Sequence, residues 1–264
     1  VSGGVPPYAE LAAATSFSFL RGASQPCDMV ARALELGHCG IGIADRNTVA
    51  GVVRAHVALR EACEKALEEG LAPPAFRLLV GARLGFADDT PEIIAYPSTR
   101  FGWGRLTRLL TTGNLRAAKG DCVLHEGDLF AFLDDLQLIV LPPAHDALLG
   151  RLTRAAPDRV WLGATMLRQG SDARRLAGLC EQAARTGVPL IALNDALYAA
   201  PRCDDRDPRE DHRAGRRAQA RRQCRATSQS AGRNGPPVRR RTGSTDGNRR
   251  FHGGSDLHAR PIAL

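Results

Sequence analysis

Cys39-Gly40-Ile41-Gly42-Ile43-Ala44 runs directly into Asp45-Arg46-Asn47 and then into a stretch of helical periodicity that lasts to about Glu69. A short apolar run ahead of a polar turn reads as a strand buried on both faces. Asn47 is placed to cap the helix. Pro73 and Pro74 end it, because proline cannot donate to the helical ladder. Arg77–Phe86 then supplies another strand. Two strands joined by a helical crossover pair in parallel, and this unit sets the class of the body as α/β.

The same alternation extends in both directions. Tyr8–Ala14 is a short extended segment. Gln25–Leu36 carries Met29, Val30, Ala33 and Leu34 at helical spacing, with Gly37 as a stop. After Arg77–Phe86, Asp88-Asp89-Thr90-Pro91 forms a turn, and Glu92–Tyr96 is the returning strand. Trp103–Thr112 is helical. Gln137–Leu141 is a strand ended by Pro142-Pro143. Ala144–Ala155 is a helix, Arg159–Gly163 a strand, Ser171–Thr186 a helix and Pro189–Leu193 a strand. This pattern implies one α/β domain, open or barrel-like, over residues 8–200 after a flexible start at 1–7.

Composition divides the chain at about residue 201. The 264 residues carry a formal net charge of +8. Residues 1–200 hold 20 basic and 21 acidic side chains, whereas residues 201–264 hold 16 basic and 7 acidic ones. The basic excess therefore lies in the last segment. Its large apolar residues are Val238, Phe251, Leu257, Ile262 and Leu264, too few to offset the ordering of the backbone. A disordered Arg-rich tail is expected there. No apolar run approaches the roughly 18 residues of a membrane helix. The start, Val1-Ser2-Gly3-Gly4-Val5-Pro6-Pro7, has no signal-peptide character. The seven cysteines form no Cys-x-x-Cys pair, so neither a disulfide framework nor a zinc ribbon is indicated. A cytoplasmic protein with no membrane partner is expected.

Tyr8-Ala9-Glu10-Leu11 followed by Ser16-Phe17-Ser18-Phe19-Leu20-Arg21-Gly22-Ala23-Ser24 resembles the opening of bacterial C-family DNA polymerase alpha subunits, in their error-prone, damage-tolerant branch. Further matches follow in the same order: Ile43-Ala44-Asp45-Arg46-Asn47, Gly51-Val52-Val53-Arg54-Ala55-His56, Val80-Gly81-Ala82-Arg83-Leu84, Leu106-Thr107-Arg108-Leu109-Leu110-Thr111 and Asn194-Asp195-Ala196-Leu197-Tyr198. The resemblance implies a PHP (polymerase and histidinol phosphatase) domain, a distorted β/α barrel with a metal cleft at the strand ends. Barrels of this kind carry their chemistry on the rim where the strands end.

The resemblance also implies a ligand set, and this chain departs from it. The His-x-His positions align with Ala12 and Ala14. The Asp-His pair reads Asp45-Arg46. The Gly-x-Glu position reads Gly81-Ala82-Arg83, and the Asp-x-His reads Asp195-Ala196-Leu197. Ala12, Ala14, Arg46, Arg83 and Leu197 are thus lost ligands, with Asp45 and Asp195 as remnants. Arginine keeps its proton and repels a metal cation. No intact metal site is expected. Arg46 or Arg83 paired with Asp45 or Asp195 is expected to replace the metals as glue. The simpler reading of the two aspartates is that they cap following helices. His38, His56, His125 and His145 lack ligand spacing and are read as surface or core residues.

Polymerase chemistry needs palm carboxylates holding two metal ions, and in the family these lie downstream of the PHP region. No catalytic or cofactor-binding residue is therefore expected here. Mg²⁺, dNTPs, DNA and a polymerase core as packing partner belong to the intact parent. A body separated from that core is expected to expose apolar surface. Two other readings stay open: a metal-dependent PHP phosphoesterase or exonuclease, and a nucleic-acid-binding protein acting through the Arg-rich tail. The resemblance stops near Pro201. With permitted codons and a shift of one nucleotide, parts of 201–264 can read as strings like the family's continuation, so out-of-frame translation from about residue 201 is expected.

Overall fold

The computed structural model describes residues 7–166, 168 and 170–200. The expectations for 1–6 and for 201–264, including the tail's disorder, nucleic-acid binding and reading frame, lie outside the described residues.

The strands are β1 (Ala9–Ala13), β2 (Gly40–Arg46), β3 (Arg77–Leu84), β4 (Ile93–Pro97), β5 (Leu136–Val140), β6 (Val160–Thr165) and β7 (Leu190–Leu193). The helices are α1 (Pro26–Glu35), α2 (Val52–Glu68), α3 (Arg100–Arg116), α4 (Glu126–Ala131), α5 (Asp146–Ala155) and α6 (Asp172–Thr186). The sheet order is sequential, β1 to β7. Every neighbouring pair is parallel except β3–β4 and β4–β5, so β4 alone runs backwards. The tight turn read at Asp88–Pro91 is what permits that reversal.

The sheet curls until β7 nears β1 without forming a ladder. Ala14 N–H donates to Ala196 O at 2.9 Å, and Asn194 N–H donates to the Glu10 carboxylate at 3.1 Å. The result is a nearly closed seven-stranded barrel, in keeping with the barrel that the resemblance implies. Side chains alternate along each strand and build two environments. Leu11, Ala12, Ala44, Ile94, Tyr96, Ile139, Leu141, Ile191 and Leu193 form the inner cluster. On the outside, α1 and α2 cover Ile41 and Ile43 through Met29, Val30 and Ala55. The largest cluster lies where Leu106, Leu109, Leu149 and Leu152 of α3 and α5 meet Leu138, Val140 and Leu162. Each such leucine contributes roughly 1.5–3 kcal/mol by burial.

Tyr96 fills the barrel interior, and its hydroxyl donates to Leu11 O at 2.8 Å. Two glycines make room for it. A Cβ at Gly42 would collide with the Tyr96 hydroxyl, and one at Gly81 would lie 2.6 Å from the ring.

Two sequence expectations are corrected, and one helix is added. Asn47 does not cap α2, whose N-cap is Gly51. Asn47 takes a left-handed backbone (φ 52°) and clasps the backbone of Gly85, donating at 3.1 Å and accepting at 2.8 Å. Asparagine tolerates that conformation better than most residues. Helix α3 begins at Arg100, three residues before the expected start, with Thr99 Oγ1 accepting from Gly102 N–H. Helix α4 was not anticipated, and its six residues are too few to show a period.

Candidate functional site

The parallel strands end on one rim, which collects Ala12 and Ala14 from β1 and its exit, and Asp45 and Arg46 from β2. Arg83 comes from β3, Glu92 from the approach to the reversed β4, and Asp195 and Leu197 from the exit of β7. Ala12 and Ala14 are buried and offer only methyl groups. Leu197 offers an aliphatic side chain, and its carbonyl accepts from Ala23 N–H at 3.1 Å.

Arg83 occupies the centre of this arrangement. It lies on the inward-facing side of β3, in step with Leu79 and Gly81, and is only 2% exposed. Its Nη2 donates to Asp195 Oδ1 at 2.9 Å, and its Nε lies 3.7 Å from Glu92 Oε2. Arg21 takes the other Asp195 oxygen at 2.7 Å. Arg46 reaches Glu92 at 3.9 Å from a largely exposed position. A chain of alternating charge therefore runs Arg21, Asp195, Arg83, Glu92, Arg46. It ties the β1 exit, the β3 end, the β4 approach and the β7 exit together. The Nε and Nη1 of Arg83 are buried and make no hydrogen bond among the described residues. Burial pushes the Asp195 carboxyl up, with Arg21 pulling the other way.

Asp45 belongs to a second, separate arrangement. It is 1% exposed. Its carboxylate accepts from Thr15 N–H at 2.7 Å, Thr15 Oγ1 at 2.8 Å and Ser18 Oγ at 2.7 Å. Ser18 Oγ in turn accepts from Arg46 N–H at 3.0 Å. Asp45 thus fastens the loop that follows β1. It faces outward, in step with Ile41 and Ile43, and among the described residues the two remnant aspartates share no hydrogen-bond partner.

Of the four pairings expected, Arg83–Asp195 is present. Arg46 pairs with Glu92 instead, and the hydrogen bonds to Asp45 come from Thr15 and Ser18. The capping alternative is overturned for both aspartates. Helix α2 begins seven residues beyond Asp45, and no helix follows Asp195 among the described residues. His56, His125 and His145 are exposed, while His38 packs edge-on to Tyr8 with ring centroids 5.1 Å apart.

Sequence reasoning missed Glu10, Thr15, Ser18, Arg21 and Glu92. A signal for Glu10 existed, since it is a lone carboxylate within an otherwise apolar strand. Glu10 is 3% exposed and bridges the barrel seam. It accepts from Ala12 N–H at 2.7 Å, Tyr8 Oη at 2.8 Å and Asn194 N–H at 3.1 Å. Burial is the largest influence on its carboxyl and raises its pKa above the ordinary 4.5. An acid raised by folding holds its proton longer in the native state, so its contribution to stability falls as pH rises from the ordinary glutamate range through the raised value. Glu10→Gln is therefore expected to gain stability relative to the parent as pH rises across that window. Paired urea titrations at several pH values check this, and a pH-independent difference would refute it.

Metal chemistry of the phosphoesterase kind needs several neutral or anionic donors converging on one point. Among the described residues, no three His, Cys, Asp or Glu side chains are grouped to hold a metal ion. The rim's donor set does not fit one: two methyl groups, an isobutyl group and two guanidiniums occupy five of the seven positions. The remaining carboxylates are engaged by hydroxyls, a backbone amide and arginines.

No protein-family model matches the chain. It is 48% identical over 211 residues to the error-prone DNA polymerase of Brucella abortus, covering 78% of this chain and 19% of that protein. It is 50% identical over 203 residues to the error-prone DNA polymerase of Rhodopseudomonas palustris, covering 75% of this chain and 18% of that one. The chain thus spans about a fifth of the length of the curated relatives it matches. Among solved structures, a Bifidobacterium adolescentis protein assigned as a metal-dependent phosphoesterase superposes with a TM-score of 0.50 at 16% identity. That match covers 75% of this chain and 90% of the other, and at this identity it speaks for the fold alone.

Proposed function

We propose that this chain, homologous to the N-terminal fifth of error-prone DNA polymerases, serves as the non-hydrolytic PHP module of such an enzyme. In that role the body is a scaffold against which a polymerase core packs. DNA, dNTPs and Mg²⁺ would be handled by the regions that follow it in the full-length relatives, and a cytoplasmic location goes with that work. Among the described residues, no helix is long and apolar enough to cross a membrane.

The observation that carries the non-hydrolytic part is Arg83. A buried guanidinium, bonded to the carboxylate of Asp195, stands at the position that the resemblance aligns with a glutamate of the PHP ligand pattern. A fixed cation at that point opposes the binding of metal cations. Ala12, Ala14 and Leu197 contribute no donors, and among the described residues no three His, Cys, Asp or Glu side chains are grouped to compensate.

Metal analysis and a phosphoesterase assay test the reading together. After dialysis against equimolar zinc and manganese, the purified chain is expected to retain less than a tenth of an equivalent of either. It is also expected to hydrolyse neither a phosphomonoester nor a single-stranded oligonucleotide above a blank. A stoichiometric metal accompanied by hydrolysis that EDTA abolishes would overturn the proposal and favour the phosphoesterase reading.

A further inference from the structure

The rim carries an apolar arc that the charge network does not explain. Phe19 is 86% exposed and Leu20 is 92% exposed, both in the loop after β1. Tyr198, after β7, is 53% exposed, and Met166, after β6, is 54% exposed. Strands β6 and β7 are neighbours, and the seam places β1 next to β7, so these residues stand on consecutive segments of one face. Large apolar side chains exposed to this degree on a shared face mark an interaction surface.

The loop that bears Phe19 and Leu20 is held in place. Ser18 Oγ is bonded to Asp45, and Ser18 O accepts from Arg21 N–H and Gly22 N–H at 3.0 Å each. Arg21 is anchored to Asp195. A side chain at Gly22 would run into the backbone of Thr15. Leu20 is kept in the left-handed region at φ 59°, a conformation that costs a branched residue energy and persists only where its surroundings enforce it. An apolar pair held rigidly before contact loses little entropy on docking.

We infer that this arc is the docking surface for the part of the polymerase that follows the homologous fifth, with Phe19 and Leu20 as its anchors; the inference rests on the polymerase-module reading above. Two observations select this occupant. The matched relatives continue for about four-fifths of their length beyond the homologous segment. The described body also ends beside the anchors: Ala199 N–H donates to Ser24 Oγ at 2.8 Å, and Ala23 N–H donates to Leu197 O. Ala200, the last residue of the described body, thus follows a segment bonded to the foot of the loop. The segment 201–264 differs from such a partner in composition. It holds 16 arginines and few large apolar residues, and the adjoining rim already presents Arg21 and Arg46.

The test replaces the homologous fifth of the Brucella abortus polymerase with residues 8–200 of this chain, with and without Phe19→Ser and Leu20→Ser, and measures primer extension. The unsubstituted chimera is expected to extend primers, and the double variant to be at least about tenfold slower, as for loss of two anchor residues. In the 264-residue chain by itself, the same pair of substitutions is expected to leave the melting temperature within about 2 °C, since exposed side chains contribute little to folding, and to reduce self-association. Equal activity of the two chimeras would overturn the docking surface alone. A marked fall in melting temperature would show that the loop packs on its own body and would overturn it too. An unsubstituted chimera that fails to fold or to extend primers would overturn the polymerase-module reading and the docking surface with it.

Discussion

Arg83→Glu is expected to abolish the folded body at neutral pH, whereas Arg83→Met is expected to cost only about 1–2 kcal/mol. The glutamate would sit at a position only 2% exposed, against the Asp195 and Glu92 carboxylates that now flank the guanidinium. Two like charges about 4 Å apart repel by roughly 4 kcal/mol at an effective dielectric of 20. Two such pairs together approach the whole stability of an ordinary domain, about 5–15 kcal/mol. The methionine removes the attraction as well as the charge. Asp195 would still hold Arg21, and the two buried nitrogens of Arg83 that make no hydrogen bond among the described residues would no longer have to be desolvated. Urea denaturation of the three proteins at pH 7 and again near pH 4.5 checks this. The glutamate variant should regain a cooperative transition at the lower pH as its carboxyls take up protons. A glutamate variant as stable as the parent at pH 7 would mean that the rim accommodates anions and that the charge chain does not hold it together.

Asp45→Ala should be the next most damaging change, at about 3–5 kcal/mol. One carboxylate there satisfies three donors from Thr15 and Ser18, both buried. Truncation leaves those donors unpaired, and each buried unsatisfied group costs about 1–3 kcal/mol, with partial relaxation. The damage should be felt first in the loop after β1. Limited proteolysis should cut within residues 16–24 in the variant well before it cuts the parent. A loss below about 1 kcal/mol, with an unchanged cleavage pattern, would show that the loop does not depend on Asp45.

Much of the architecture was legible because it depends on local pattern. The Cys39–Ala44 run is apolar on both faces because the strand it forms, β2, has helices outside and Tyr96 inside. The Asp88–Pro91 turn announced the single reversed strand. What was not legible depends on geometry between distant segments. Asn47 has the chemistry of a helix cap, and only the proximity of β3 turns it to Gly85. Asp45 has the chemistry of a metal ligand, a cap or an ion-pair partner. The one-residue alternation of β2 decides among these by aiming it outward at the loop that follows β1. Arg83 is two residues from Gly81 and shares its inward face, so its burial follows from the strand's period. Its partners, however, come from 112 residues away at Asp195 and from the start of β4. Arg21 and Glu10 lay in stretches that carried the resemblance, but neither corresponds to a metal ligand, so the comparison with a ligand pattern passed over them.

The uninterrupted spatial sequence of the strands bears on how such a body comes to exist at all. Each of the six ladders joins a strand to the one made just before it, so the sheet can grow by accretion while synthesis proceeds. Only the meeting of first and last strands must wait, and it is sealed by a handful of bonds around one glutamate instead of a ladder. Sequential pairing limits each loop closure to one crossover, while the four parallel ladders form more slowly than a hairpin does. A body of this kind completes its sheet only once β7 has been made, and its earlier ladders can be in place before then.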